Sequence, residues 1–156
     1  MSEEKTRKLA IICSKGSLDM AYPGLILANA ARMAGHDAML FFTFWGLDVV
    51  NAKKVDHLHL SPLGNPSVPV PAMVAGLPGV EALASRMMRS EMEKHHIPPV
   101  REMLEMLDDA GAELYACQMA VDLFGLTKDD LIPQVKSIIS AMDFIDMSEG
   151  AQVVFV

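Results

Sequence analysis

Residues Lys8–Thr43, KLAIICSKGSLDMAYPGLILANAARMAGHDAMLFFT, place two short apolar runs on either side of a long Ala- and Leu-rich segment. Lys8–Cys13 is continuously apolar and is stopped by Ser14-Lys15-Gly16-Ser17, the pattern of a strand buried on both faces and followed by a turn. A helix is expected from about Met20 to Ala34, with Ser17 or Asp19 as its cap, Pro23 in its first turn and Gly35 as its stop. Asp37–Thr43 then supplies a second buried strand. Strand, helix and strand in this order is the unit that builds parallel sheets through a right-handed crossover. The helix is apolar almost all round, so it is expected to pack between the sheet and another surface.

The same grammar continues downstream. In Ala112-Glu113-Leu114-Tyr115-Ala116-Cys117-Gln118-Met119-Ala120-Val121-Asp122-Leu123-Phe124-Gly125, a strand ending at Leu114–Ala116 runs straight into a helix over Gln118–Phe124, and Cys117 stands at the joint. A sulfur at the first turn of a helix meets unpaired backbone N–H groups and the positive end of the macrodipole, both of which favour an anion. The thiolate is the nucleophilic form of cysteine. The competing reading makes Cys117 a small apolar core residue, since free cysteine is among the most buried residue types.

Between these units, Val55–Leu77 is interrupted by Pro62, Pro66, Pro69, Pro71, Gly64 and Gly76 yet carries Leu58, Leu60, Val68, Val70, Met73 and Val74. An apolar loop of this length is a lid or a subunit contact rather than a disordered linker. Helical spacing follows over Val80–Lys94, with Met87, Met88 and Met92 near one side, and Pro98-Pro99 opens a further helix that Gly111 ends. Such a methionine stripe is core filling. Thr127–Asp130 resembles a helix cap cut to a turn by Pro133. A strand at Val135–Ile139, a helix at Ser140–Ser148 and a final strand at Gln152–Val156 complete the chain. The expectation is a single α/β domain over residues 1–156, a three-layer sandwich with a mainly parallel sheet of about five strands flanked by helices, and with a loop and helical insertion at about 55–100.

Composition narrows the function classes. Hydrophobic residues make up 51% and charged residues 21%, and mean hydropathy is +0.27, rather apolar for a monomer, so a homo-oligomer is expected. The net charge of −7, with no cluster of Lys and Arg, argues against a nucleic-acid partner. No apolar run reaches the roughly 20 residues of a membrane-spanning helix, which leaves peripheral membrane contact at most. The mixed-charge start Met1–Lys8 shows no signal-peptide pattern and reads as cytoplasmic.

Cys13 and Cys117 both fall at the C-terminal ends of expected strands, hence on one edge of a parallel sheet, where they could face one pocket and exchange a disulfide or relay a persulfide. Cys13 as a plain packing residue is the alternative. Phe44-Trp45-Gly46-Leu47 follows the second strand at that edge, where open α/β sheets place their sites; these aromatics otherwise anchor a helix starting near Leu47. His57 and His59 fall on one side of an extended segment and His95-His96 precede two prolines, a set of imidazoles suited to zinc or copper although neither spacing is a zinc signature. There is no Gly-rich phosphate fingerprint and no thioredoxin-like Cys-x-x-Cys, and no cofactor is implied.

The strand end at Cys13-Ser14, Ala28-Asn29-Ala30-Ala31, Phe41-Phe42-Thr43-Phe44-Trp45-Gly46-Leu47, His57-Leu58-His59-Leu60-Ser61-Pro62-Leu63-Gly64-Asn65-Pro66, Ile97-Pro98-Pro99 and Tyr115-Ala116-Cys117 together resemble the DsrE/DsrF/TusD-like superfamily. The likeness is to its longer DsrE-like sulfur-carrier branch, whose members are often labelled peroxiredoxin-family proteins, and it covers nearly the whole chain. It implies a parallel-sheet α/β fold, oligomers, and a persulfide or thiosulfonate carried on one cysteine and exchanged with TusA-type carriers and rhodaneses. By that resemblance Cys117 matches the sulfur-carrying cysteine, while the role of Cys13 stays open. The leading expectation is therefore a sulfur carrier or sulfurtransferase with Cys117 as nucleophile and a pocket of Trp45, His57, His59, Met73 and Met119. The rivals are an oligomeric scaffold with an inert cysteine and a histidine-based metal protein.

Overall fold

All five expected strands form: β1 Lys8–Cys13, β2 Asp37–Phe42, β3 Glu113–Cys117, β4 Val135–Ile139 and β5 Gln152–Phe155. The computed structural model describes residues 6–61, 65, 67 and 69–156. Every pairing is parallel and the order is β4-β3-β2-β1-β5, so the sheet is all-parallel. Parallel strands are covered on both faces, which is why Ala38–Phe42 of the central β2 are buried without interruption. The helices are α1 Leu18–Met33, α2 Leu47–Val50, α3 Ala72–Ala75, α4 Val80–Lys94, α5 Val100–Asp109, α6 Gln118–Leu123 and α7 Ala141–Met147.

Register sorts the core into two layers. Ile11 pairs with Leu40 and Leu40 with Leu114, so these side chains share one face, on which α1 packs with α5 beside it. Ile12 pairs with Phe41 and Phe41 with Tyr115 on the other face, where Phe144 of α7 stacks its ring on Phe41 at 4.7 Å. Arg32, in the last turn of α1, donates to Ala110 O at 2.8 Å and His36 O at 2.8 Å and pairs with Asp37 at 3.1 Å, fixing that end to the start of β2 and the end of α5.

Two local details differ from the sequence-based expectation. The segment after Val55 is not wholly irregular, because Pro71 at the N-cap and Gly76 at the C-cap bracket the single turn α3. Pro62, Gly64, Pro66 and Val68 lie outside the described residues, as do Met1–Lys5. The outer side of α1 is uncovered within one chain: Ile26 is 54% and Met33 82% exposed. The cap expected at Thr127 forms as a single 3-10 turn over Lys128–Asp130, in which the Thr127 N–H and hydroxyl donate to the Asp130 carboxylate at 2.8 and 3.1 Å. Among the described residues, no helix is long and apolar enough to cross a membrane.

Leu40 is fully buried at the centre of β2. Leu40→Ala is expected to lower the unfolding free energy in urea titration by about 2–5 kcal/mol through lost burial and the cavity left behind, whereas Met33→Ala on the exposed end of α1 is expected to change it by less than about 0.5 kcal/mol.

Candidate functional site

Because all strands run one way, the segments following β1, β2 and β3 gather at a single edge of the sheet. There the turn after β1 and the turn after β2 meet without side chains between them. A Cβ on Gly16 would stand 2.3 Å from Trp45 O, and one on Gly46 would stand 2.0 Å from Cys13 O, so only glycine fits at either place. Phe44 between them holds a left-handed φ of +47°, a conformation that costs a non-glycine residue about 1–2 kcal/mol.

This contact forms one wall of a cavity of about 520 Å³ lined by Lys15, Ser17, Trp45, Lys53, His57 and His59, among others. The opposite wall is the segment after β2's helical turns, pinned at three points. Leu18 N–H donates to His59 O at 2.9 Å, Leu60 N–H donates to Ser85 Oγ at 2.8 Å, and Arg89 donates to Leu58 O. Leu58 is buried, which leaves His57 and His59 as the exposed neighbours on either side of it. Lys54 pairs with Asp48 at 2.9 Å and His59 Nδ1 lies 3.5 Å from Glu81. Lys15 and Lys53 have no carboxylate within ion-pair distance among the described residues.

Cys117 is both the last residue of β3 and the N-cap of α6, with φ −74° and ψ 122°. It is 6% exposed and makes no side-chain capping hydrogen bond, and α6 is six residues long, so the helix start offers its sulfur one turn of free N–H groups rather than an extended macrodipole. Met119 and Leu123 on α6 are 70% and 61% exposed. Phe124, which caps the C-terminal end of α6, packs on Trp45 with ring centroids 5.2 Å apart. Trp45 thus lines the cavity and packs on the C-terminal end of the helix that Cys117 begins. Further back on the same sheet face, the Tyr115 hydroxyl donates to Glu113 at 2.5 Å and, with Lys136, holds that carboxyl below its ordinary range.

Cys13 is placed differently. It pairs with Phe42, and Phe42 with Ala116, so Cys13 shares its face with Ala116 while Cys117, one residue on, points to the opposite face. The thiols share an edge but not a pocket, and β2 stands between their strands. Cys13 lies under α1, where a Cβ on Gly24 would be 2.9 Å from its sulfur, and burial pushes its thiol up to about 12.

Of the residues singled out in the sequence, Trp45, His57 and His59 come together at the cavity, and Met119 stands beside Cys117. Met73, 90% exposed on α3, and Met119 line none of the described cavities, and Cys117 is not among the cavity's lining residues either. His95 and His96 sit at the far end of α4, and among the described residues no three His, Cys, Asp or Glu side chains assemble as a metal-binding group, so the four-histidine centre is not formed. Lys15, Ser17, Lys53 and Lys54 are the site residues that sequence reasoning passed over; the available signal was that Lys15-Gly16-Ser17 must follow β1 onto the functional edge.

Residues 5–156 match the model of the DsrE/DsrF/DrsH-like family. The chain is 39% identical over 138 residues to the sulfur carrier protein DsrE2 of Allochromatium vinosum, covering 83% of this chain and 86% of that protein. It is 27% identical to the uncharacterized protein YrkE of Bacillus subtilis, over 98% of this chain and 99% of that one. In fold it is similar to the crystal structure of the ychN protein from E. coli, with a TM-score of 0.61 at 15% identity over 97% of this chain and 100% of that chain. A protein of unknown function from Methanobacterium thermoautotrophicum gives a TM-score of 0.55 at 13% identity, over 96% and 99% of the two chains.

At about pH 8, iodoacetamide followed by peptide mass mapping is expected to leave Cys13 unmodified in the folded chain and to label it only after denaturant is added, because the reactive thiolate is disfavoured there. Labelling of Cys13 at the rate of an unfolded thiol would contradict its burial under α1.

Proposed function

The chain belongs to the DsrE/DsrF/DrsH-like family, and from that membership we propose that it is a sulfur carrier that holds a sulfane sulfur on Cys117 as a persulfide and passes it to a partner thiol. The observation that carries this reading is the placement of Cys117 at the strand-to-helix joint on the C-terminal edge of the sheet, in a chain 39% identical to a protein named as a sulfur carrier. In loading, the Cys117 thiolate attacks the outer sulfur of a donor persulfide. The donor's S–S bond breaks, its electron pair leaves with the donor thiolate, and Cys117–S–SH forms with no net oxidation. An acceptor thiolate discharges it by the same displacement.

Such a carrier needs a thiolate, a shielded persulfide and a partner surface. The small opening at Cys117 limits water and oxidants, and the exposed Met119 and Leu123 beside it offer an apolar landing for a protein carrying its own thiol. TusA-type carriers and rhodaneses are the partners this implies, in a cytoplasm that keeps thiols reduced. Self-association fits the apolar side chains left outward: Ile26 on α1, Met142 and Ile145 on α7, and Phe155, 69% exposed on the edge strand β5. The rival, a scaffold with an inert cysteine, is favoured by the 6% exposure of Cys117 itself.

Intact-mass measurement after incubation with polysulfide, thiosulfate or a persulfidated rhodanese separates the two. The carrier gains one sulfur, reversibly with dithiothreitol, in the native chain and in Cys13→Ser, and gains none in Cys117→Ser. A chain with no gain under any donor, or a gain that survives Cys117→Ser, removes Cys117 as the carrying residue.

A further inference from the structure

The cavity beside Trp45 has a charge opposite to that of the chain as a whole. The protein's net charge is −7, yet this one recess gathers Lys15, Lys53, Lys54, His57 and His59 against Asp48 and Glu81. The two carboxylates are already engaged, Asp48 with Lys54 at 2.9 Å and Glu81 with His59 at 3.5 Å. Lys15 and Lys53 are left to face the recess; Lys53 also lends some of its field to Asp130. Two hydroxyls line it as well, Ser61 and Ser17, the latter at the N-cap of α1 without a side-chain capping bond. A volume of about 520 Å³ is several times that of a bare oxyanion and suits a small organic molecule, and the 62% exposed indole of Trp45 supplies an apolar wall.

We propose that this cavity binds a low-molecular-weight anionic sulfur compound, a thiol or persulfide bearing carboxylate or sulfonate groups, with its anionic end on Lys15 and Lys53 and its body against Trp45. That the ligand carries sulfur rests on the carrier function proposed above; that it is a small anion rests on the cavity alone. Amines gathered in a concave site concentrate anions and bind them through charge-assisted hydrogen bonds. A ligand seated on the indole lies next to Phe124 and the helix that Cys117 opens. The site gives the carrier a small-molecule donor or acceptor in addition to a protein one.

Trp45 is the chain's sole tryptophan, so its fluorescence reports on this cavity directly. Titrations at constant ionic strength with glutathione, thiosulfate and sulfate distinguish an organic thiol, an inorganic sulfur anion and an anion with no transferable sulfur. The expected result is a saturable change with glutathione that is stronger than with thiosulfate or sulfate. It is retained in Cys117→Ser and in the surface control Lys94→Gln, and weakened about tenfold or more when Lys15→Gln and Lys53→Gln are combined. No saturable change with glutathione, an equal response to thiosulfate or sulfate, or an unchanged affinity in the double variant overturns the proposal. Saturable binding in a chain whose Cys117 takes up no sulfur instead overturns the carrier function and leaves the anion site standing.

Discussion

Side chains alternate between the two faces of a sheet while all strands of a parallel sheet end on the same edge, and the chemistry available to this protein depends on that conjunction. The edge collects the segments after β1, β2 and β3; the alternation then separates what the edge collects. Cys13 is in phase with Phe42 and Ala116, and Cys117 is one step out of phase, so a pair of cysteines that share an edge have no common pocket. A one-residue slip of β3 against β2 would reverse the outcome, but it would also carry Leu114 out of the α1 layer, where it is fully buried. Core packing therefore fixes the separation of the thiols. In the proposed carrier this has a chemical consequence: no cysteine of the same chain is at hand to resolve a persulfide on Cys117, so the sulfur waits for a thiol from outside.

The recess at that edge is built by backbone rather than by side-chain packing. Gly16 and Gly46 let the two turns touch main chain to main chain, and the left-handed Phe44 turns the chain so that Trp45 faces the recess. Local strain of this kind persists only where surrounding structure over-determines it. Here the restraint comes from β1 and β2 immediately before the turns and from the buried α2 residues Leu47, Val49 and Val50 immediately after. The lysines can then stand in the recess without a full complement of carboxylates, because the fold beneath them is held by apolar packing and backbone hydrogen bonds and not by their charges.

Much of this architecture was legible in the sequence. A continuous apolar run gave β1 over the residues observed, the short strand expected at Val135–Ile139 is β4, and Val80–Lys94 emerged as α4 from end to end, since Gly79 and the break at His95-His96 mark its limits. What was not legible depends on pairing between distant segments. The opposite orientation of Cys13 and Cys117 follows from the β1–β2 and β2–β3 registers, which no local pattern encodes. The recess joins Lys15, Lys53 and Glu81 from three separate stretches, so its charge is invisible to a search for basic clusters along the chain. Conversely, His57, His59, His95 and His96 looked like a group because their spacings are short, and the length of α4 keeps the two pairs apart.

Self-association and sulfur exchange, as proposed, would make different demands on the surface, and the fold offers them different sides. Ile26 and Leu27 face outward from α1 on one side of the sheet, while Val153 and Phe155 of β5 share the opposite face with Ile12. Copies associating through either apolar face would cover surface that lies along the strands. The recess and Cys117 lie at the strand ends, roughly perpendicular to both faces. An assembly formed in that way hides the hydrophobic excess that composition announces and leaves the exchanging edge open. In the proposed carrier, a sulfur on Cys117 and an anion on Lys15 and Lys53 would then be open to solvent in every subunit, with Trp45 packed on Phe124 at the C-terminal end of the helix that Cys117 begins.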